Sequence, residues 1–308
     1  MPAKKTALYF LLFFSGLTPL RGSAQQYDTV SKFSRPVQLD SFVVKSGFDV
    51  NAFIRRVRSD TTFYKAFKNL RFIQYEAYND IKVFDKDRDV KASLHSKTRQ
   101  NFKKGCRSTT VLQQNTTGDF FTRSGDYNYY TAELFAYLFF TKDSVCNESD
   151  IVAGSMDSHP GGQMAKSEYQ LKQLLFNPGS RVSGVPLMGD RASIFDEGEA
   201  EKYDFRISRE LFAGQECYVF RISPKKGYER KVIYDEFVTW FRKSDYSIIA
   251  RDYSLSYSNL IYDFDVKMKV RTNEVGRKLY PTHISYDGNW HVFTKKRERV
   301  KFSVDIVY

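Results

Sequence analysis

Chemistry needs converging side chains, and in this 308-residue sequence the four histidines and three cysteines are the scarcest candidates. His283 and His291 flank Asp287-Gly288, a dipeptide whose members both tolerate positive φ and which therefore reads as a hairpin turn. Paired strands would bring the two imidazoles near each other, and with Asp287 they make a weak candidate metal site. His159 stands in a Ser-, Asp-, Pro- and Gly-rich loop beside Asp157. A hydrolytic or transfer reaction could use His159 or Asp190, although no nucleophile accompanies them in sequence. The chain has no Gly-x-Ser-x-Gly elbow, no phosphate-binding loop, no His-Glu-x-x-His pair and no dinucleotide fingerprint. No catalytic residue is assigned from the sequence, and no cofactor is expected.

The three cysteines exclude a disulfide scaffold. In an oxidising compartment one pair could bridge, Cys106 with Cys146 for instance. Cys217 lies inside an apolar alternation, where burial would raise its pKa and quiet it. The stronger signal is aromatic. Twenty-seven Phe and 21 Tyr exceed what the core of one sheet needs. They either pack that core or line a concave apolar groove. The candidate groove residues are Trp240, Tyr253, Leu255, Tyr257, Phe264 and Met268.

These residues sit in the clearest part of the chain. Tyr253, Leu255 and Tyr257 alternate with serines, Phe264, Val266, Met268 and Val270 alternate with Asp and Lys, and Val300 to Tyr308 keeps a period of two. Turn signals stand at Lys104-Gly105, Ala213-Gly214 and Lys243-Ser244-Asp245. Strands joined by such short turns imply an antiparallel meander rather than a parallel α/β sheet. Upstream, Asp49 can cap a helix carrying Phe53, Ile54 and Val57, and Asp60-Thr61-Thr62 can open a second with Phe63, Tyr64, Phe67 and Leu70. The spacing predicts one kinked helix or two short ones with an aromatic face for a sheet to receive. Tyr129–Phe140 reads as a doubly buried strand or a short helix, and Gln163–Phe176 as a helix stopped by Asn177-Pro178-Gly179.

Lys4 and Lys5 precede the apolar run Ala7–Phe14, and Gly22-Ser23-Ala24 supplies small residues for a cut after Ala24. This is the pattern of a secretory leader. The domain reading is therefore residues 1–24 as signal peptide, 25–44 as an N-terminal arm, and 45–308 as one β-rich domain with a helix and loop insertion near 150–199. Beyond the leader no apolar run reaches the roughly 20 residues of a membrane helix. The leader's Lys4, Lys5 and Arg21 account for three of the formal +12 charges. An exported basic protein meets anionic lipid and polysaccharide surfaces rather than nucleic acid, for which no signature is present. The densest basic cluster is Lys295-Lys296-Arg297-Glu298-Arg299, either a solvated strand face or an anion-binding stripe.

The segments Tyr218–Lys225, a strand ending in Pro-Lys, and Val238–Asp252, a strand, acidic turn and strand, resemble the outer-membrane lipoprotein carrier and receptor superfamily. The run from Tyr253-Ser-Leu-Ser-Tyr257 to Asn289-Trp290-His291 is also similar to uncharacterised secreted proteins of Gram-negative bacteria. The first resemblance implies an unclosed antiparallel half-barrel with helices plugging its mouth, and hydrophobic or lipid-modified cargo. The expected fold is thus α+β, a curved antiparallel meander covered by an N-terminal and a mid-chain helix. The expected function is a periplasmic, non-enzymatic binding or carrier module for a lipid or acyl ligand, a lipidated protein or an envelope partner. Two alternatives remain open at this point. One is an outer-membrane β-barrel, suggested by the aromatic-ended last strand; the other is an envelope hydrolase using loop 150–199.

Overall fold

The computed structural model describes residues 37–39, 48–139, 141, 143–147, 177–180, 191–259, 262–292 and 296–308. The leader, most of the arm, the helix predicted over Gln163–Phe176, His159 and Asp190 lie outside these residues.

The helical start follows the caps. Asp49 accepts from the Ala52 amide at 2.9 Å and opens α1, Val50–Ser59, which buries Phe53, Ile54 and Val57. Asp60 ends it and accepts from the Thr62 amide at 2.8 Å, so a second helix, α2 (Thr62–Leu70), starts at once. It buries Phe63, Ala66, Phe67 and Leu70 and packs over strand β11. The two short helices of the sequence reading are therefore separate. The ambiguous aromatic stretch is helix α3, Tyr130–Phe139, and a single-turn α4 spans Glu197–Ala200.

Twelve strands form one sheet, in the order β1-β6-β7-β8-β9-β10-β11-β12-β2-β3-β4-β5. They are β1 Val37–Leu39, β2 Tyr75–Phe84, β3 Val90–Lys103, β4 Cys106–Thr117, β5 Val145–Cys146, β6 Tyr203–Phe212, β7 Gln215–Pro224, β8 Tyr234–Arg242, β9 Ile248–Ser258, β10 Tyr262–Val275, β11 Lys278–Val292 and β12 Glu298–Val307. From β6 to β12 the chain is a continuous antiparallel meander. Among the described residues only β1 pairs parallel, on β6, and β12 returns to β2 with Val304 opposite Asn79. The sheet stays open with β1 and β5 at its ends, giving an α+β half-barrel whose inner face receives the helices.

Alternation sets the two faces. On β10, Phe264, Val266, Met268 and Val270 are buried while Asp265, Lys267 and Lys269 are exposed. The inner-face core runs through every long strand except β4 and takes in Phe53, Phe67, Phe135 and Phe302. Phe53 shows the packing: its ring meets Phe241 at 5.1 Å and Phe220 at 5.9 Å, both edge-on. A second small cluster lies on the outer face, with Cys217, Val219, Val238 and Ile249 against Phe212 and Trp240.

One predicted turn is wrong. Asp287-Gly288 lies inside β11, and the β10–β11 turn is Gly276-Arg277, both at positive φ. Gly288 has another purpose: a Cβ there would sit 2.0 Å from the Tyr286 hydroxyl, because the Tyr286 side chain lies over this bare backbone. The Trp290 indole N–H donates to that hydroxyl, and Phe135 of α3 packs edge-on against the Tyr286 ring at 4.9 Å. The sequence showed a turn-forming dipeptide; the glycine is there for close approach.

The barrel alternative also fails on these faces. A membrane barrel must close, and its outward face must carry an apolar band. Here the sheet is open, and the outward side chains include exposed Asp265, Lys267, Lys269, Lys301 and Asp305.

Candidate functional site

The inner face is largely filled beneath α1 and α2, and its larger opening lies at the β3–β4 end of the sheet. There α3, β3 and β4 enclose a groove of about 650 Å³. Leu94, Val111, Phe121, Tyr127, Ala136 and Val145 supply its apolar wall, while Arg107, Gln114, Glu133, Asp126 and Asp143 with four Ser and Thr hydroxyls supply its polar positions. Val111 and Val145 remain 54% and 36% exposed, so apolar surface stands open to a ligand. Arg107 is buried to 3% at the same site.

Three devices hold the walls apart and in place. Glu298, on β12, accepts from the amides of Tyr130 and Thr131 at 2.8 Å each and from the Thr131 hydroxyl at 2.7 Å. It thereby caps the N-terminus of α3 with a carboxylate, where two orphan amides and the helix dipole favour negative charge. Cys106 and Cys146 are disulfide-bonded directly across β4 and β5, tying Val145 to the sheet. Close by, the Thr141 amide donates to the Thr109 hydroxyl at 2.9 Å. On the far wall, Phe121 and Tyr127 form a small bridged loop with rings 5.2 Å apart. At its base the Tyr129 hydroxyl donates to Asp119; that hydrogen bond, with Lys91 nearby, holds the Asp119 carboxyl below its usual range.

The predicted groove residues are placed differently. Tyr253, Leu255, Phe264 and Met268 come together on the inner face, with Leu255 opposite Val266 and the Tyr253 hydroxyl donating to Met268 Sδ at 3.4 Å. All four are 3% exposed or less, so they are packed into the core. Tyr257 is half-buried at their rim, 6.0 Å from the Phe264 ring. Trp240 does not join them: its ring packs on Phe212 at 4.9 Å on the outer face.

The histidine pair is overturned as a metal site. His283 and His291 lie on one strand, eight residues apart and so separated by about 26 Å at the usual rise. His283 Nδ1 instead meets Asp305 at 2.6 Å. Among the described residues no cluster of three His, Cys, Asp or Glu could hold a metal ion. In the basic cluster near residue 297, Arg297 pairs with Asp263 at 2.5 Å and Arg299 donates to the Asp85 carbonyl at 3.3 Å, while Lys295 lies outside the described residues. Glu298, the one acid in that cluster, is the residue sequence reasoning missed. Nothing in a linear reading links it to a helix starting 168 positions earlier. Cys217 is a free, buried thiol whose pKa burial raises, as its apolar surroundings predicted.

No family model matches this chain, and no curated protein matches it either. Among solved structures it is similar to an outer membrane lipoprotein-sorting protein domain from Vibrio parahaemolyticus, at 10% identity and a TM-score of 0.26, over 83% of this chain and 88% of that one. A DUF1329 family protein from Desulfovibrio piger gives 12% identity and a TM-score of 0.23, over 79% and 88%. A LolA superfamily protein from Nitrosomonas europaea gives 11% identity and a TM-score of 0.23, over 80% and 91%.

Proposed function

We propose that this chain is an exported, non-enzymatic carrier or binding module that holds a hydrophobic ligand, a lipid or acyl group, in the groove under α3. The observation that carries the reading is a groove of about 650 Å³ with an exposed apolar wall, kept open beside an inner face that is otherwise largely filled. That volume falls within the roughly 300–1,000 Å³ of small-molecule pockets. The Cys106–Cys146 bridge suits an oxidising compartment such as the periplasm, in agreement with a cleaved leader. The packed patch of Tyr253, Leu255, Tyr257, Phe264 and Met268 serves as rigid apolar backing for the same inner face. The cargo is a lipid or a lipidated protein, and the net positive charge favours work beside an anionic envelope surface.

Uptake of a fluorescent fatty acid, followed by displacement with unlabelled lipid, tests the reading. The native chain should bind it, and Val111→Asp, which puts a charge on the exposed wall, should weaken binding at least tenfold while leaving the melting temperature nearly unchanged. Absence of uptake by the native chain, together with no lipid co-purifying in native mass spectrometry, would overturn the proposal.

A further inference from the structure

A second cavity, of about 390 Å³, lies between the α1–α2 junction, the Asn177–Ser180 turn and strands β8 and β9. Its most unusual lining residue is Arg251, whose side chain projects from β9 into the inner face of the half-barrel. Arg251 is only 7% exposed. Its guanidinium lies 4.2 Å from the centre of the Phe63 ring and 5.1 Å from that of Phe237. Nε donates to the Thr239 hydroxyl at 3.0 Å. That single bond uses one of five N–H donors. Among the described residues no carboxylate comes within ion-pair distance of it. Asp60 acts on it only at longer range, its own oxygens being engaged by the Thr62 amide and hydroxyl at 2.8 Å.

A buried cation held by one hydrogen bond and two ring faces, with no carboxylate among the described residues paired to it, is costly. An anionic ligand would offset that cost, although Asp60 and Asp196 also line the cavity. Desolvation draws Arg251 down to about 10, so at neutral pH it still carries its charge. Ser193, also buried at 4% exposure, adds a hydroxyl to the cavity. Phe63 and Tyr64 of the first turn of α2 line it as well, so the positive end of that helix faces the same space, and Thr61 at the helix cap makes no side-chain capping bond. Val57 and Phe195 provide apolar walls.

We infer that this cavity is an anion-binding site in which the Arg251 guanidinium receives the carboxylate or phosphate oxygens of a ligand whose apolar part lies against Val57 and Phe195. A planar fork of donors suits either anion. The inference goes beyond the groove under α3 and does not depend on it, because an anion alone can test it.

The experiment is calorimetric titration of the full chain with dodecanoate, dodecyl phosphate, dodecanol and inorganic phosphate. Dodecanoate or dodecyl phosphate should bind at least tenfold more tightly than dodecanol. Arg251→Gln should erase that difference and leave dodecanol unchanged. If inorganic phosphate binds in an Arg251-dependent way and dodecanol does not, the site takes a free anion; the inference then stands while the hydrophobic-carrier reading loses support. Equal affinity for the three dodecyl compounds overturns the inference and spares the carrier reading, and no binding of any of the four overturns both. Asp60→Asn gives a second test that does not disturb the core, since Asn caps a helix as well as Asp does. Removing its negative charge should tighten the anions at least twofold without affecting dodecanol, and unchanged or weaker anion binding would overturn the inference.

Discussion

Reduction of the Cys106–Cys146 bridge is the perturbation whose consequence the structure specifies most fully. The bond closes a loop with a sequence separation of 40. That loop contains β4, the Phe121–Tyr127 bridge and α3, which together form most of the groove wall. By the loop-entropy relation, releasing a loop of this length in the unfolded chain lowers stability by about 4 kcal/mol at 25 °C. The double variant Cys106→Ser/Cys146→Ser avoids leaving a lone thiol, and Cys217 stays buried in either form. Urea unfolding followed by the fluorescence of the two tryptophans, Trp240 and Trp290, gives the readout. With a slope of about 3 kcal/mol/M for a chain of this size, the midpoint should fall by about 1.3 M, and the slope should rise slightly as the unfolded chain loses its cross-link. Fatty-acid uptake should weaken in the same variant, because β5 carries Val145 and is paired to β4 through only two residue pairs. A loss below about 1 kcal/mol would refute the reasoning. It would mean that the unfolded chain keeps structure that restrains the loop without the covalent bond.

Three further outcomes follow from single contacts. Glu298→Ala removes the acceptor of two backbone amides and one hydroxyl at the start of α3, and should cost about 1–2 kcal/mol in denaturant unfolding, with weaker ligand uptake as the helix end frays. Gly288→Ala drives a methyl into the Tyr286 ring, and should destabilise by about 1–3 kcal/mol, the range for overpacking a filled core; a neutral result in thermal melts would show that Tyr286 is free to turn aside. Glu76 is held below its ordinary value near 4.5 by hydrogen bonds from Lys97 and Arg99. Its stabilisation is therefore complete above pH 4.5 and is lost as pH falls through the lowered value, so Glu76→Gln should lower the melting temperature at pH 7, converge with the native chain in acid, and thereby flatten the drop below pH 4.5.

Local physics made much of this molecule legible. Asp49 and Asp60 cap because their side chains reach amides two or three positions on, and that reach belongs to the linear sequence. The turns at Lys104-Gly105 and Ala213-Gly214 use residues at positive φ, where glycine predominates. Alternation on β10 and β12 settled which side chains point inward. The same rules misread Asp287-Gly288, because a glycine required by a neighbouring ring looks in sequence like a glycine required by a turn. The candidate site was harder to find. Tyr253, Leu255, Phe264 and Met268 were correctly grouped on one face, yet period-two alternation cannot tell a packed core from an open groove. Trp240 lies on the outer face by the same alternation, since Phe237 and Phe241 point inward and Val238 and Trp240 outward, so it does not belong with the other groove candidates.

The sequence by itself determined most of the meander from β6 to β12, though not the extent of β11, the helical start at Asp49, the inward side of β10 and β12 and the chemical fate of Cys217. All of these depend on neighbours within a few residues. Tertiary structure alone decided that β12 would close onto β2, that Glu298 would cap α3, that Cys146 would meet Cys106, and that Arg251 would lie buried between Phe63 and Phe237. Each of these joins residues 40 to more than 200 positions apart, and such contacts form only once burial of the shared inner face has brought the distant strands and helices together.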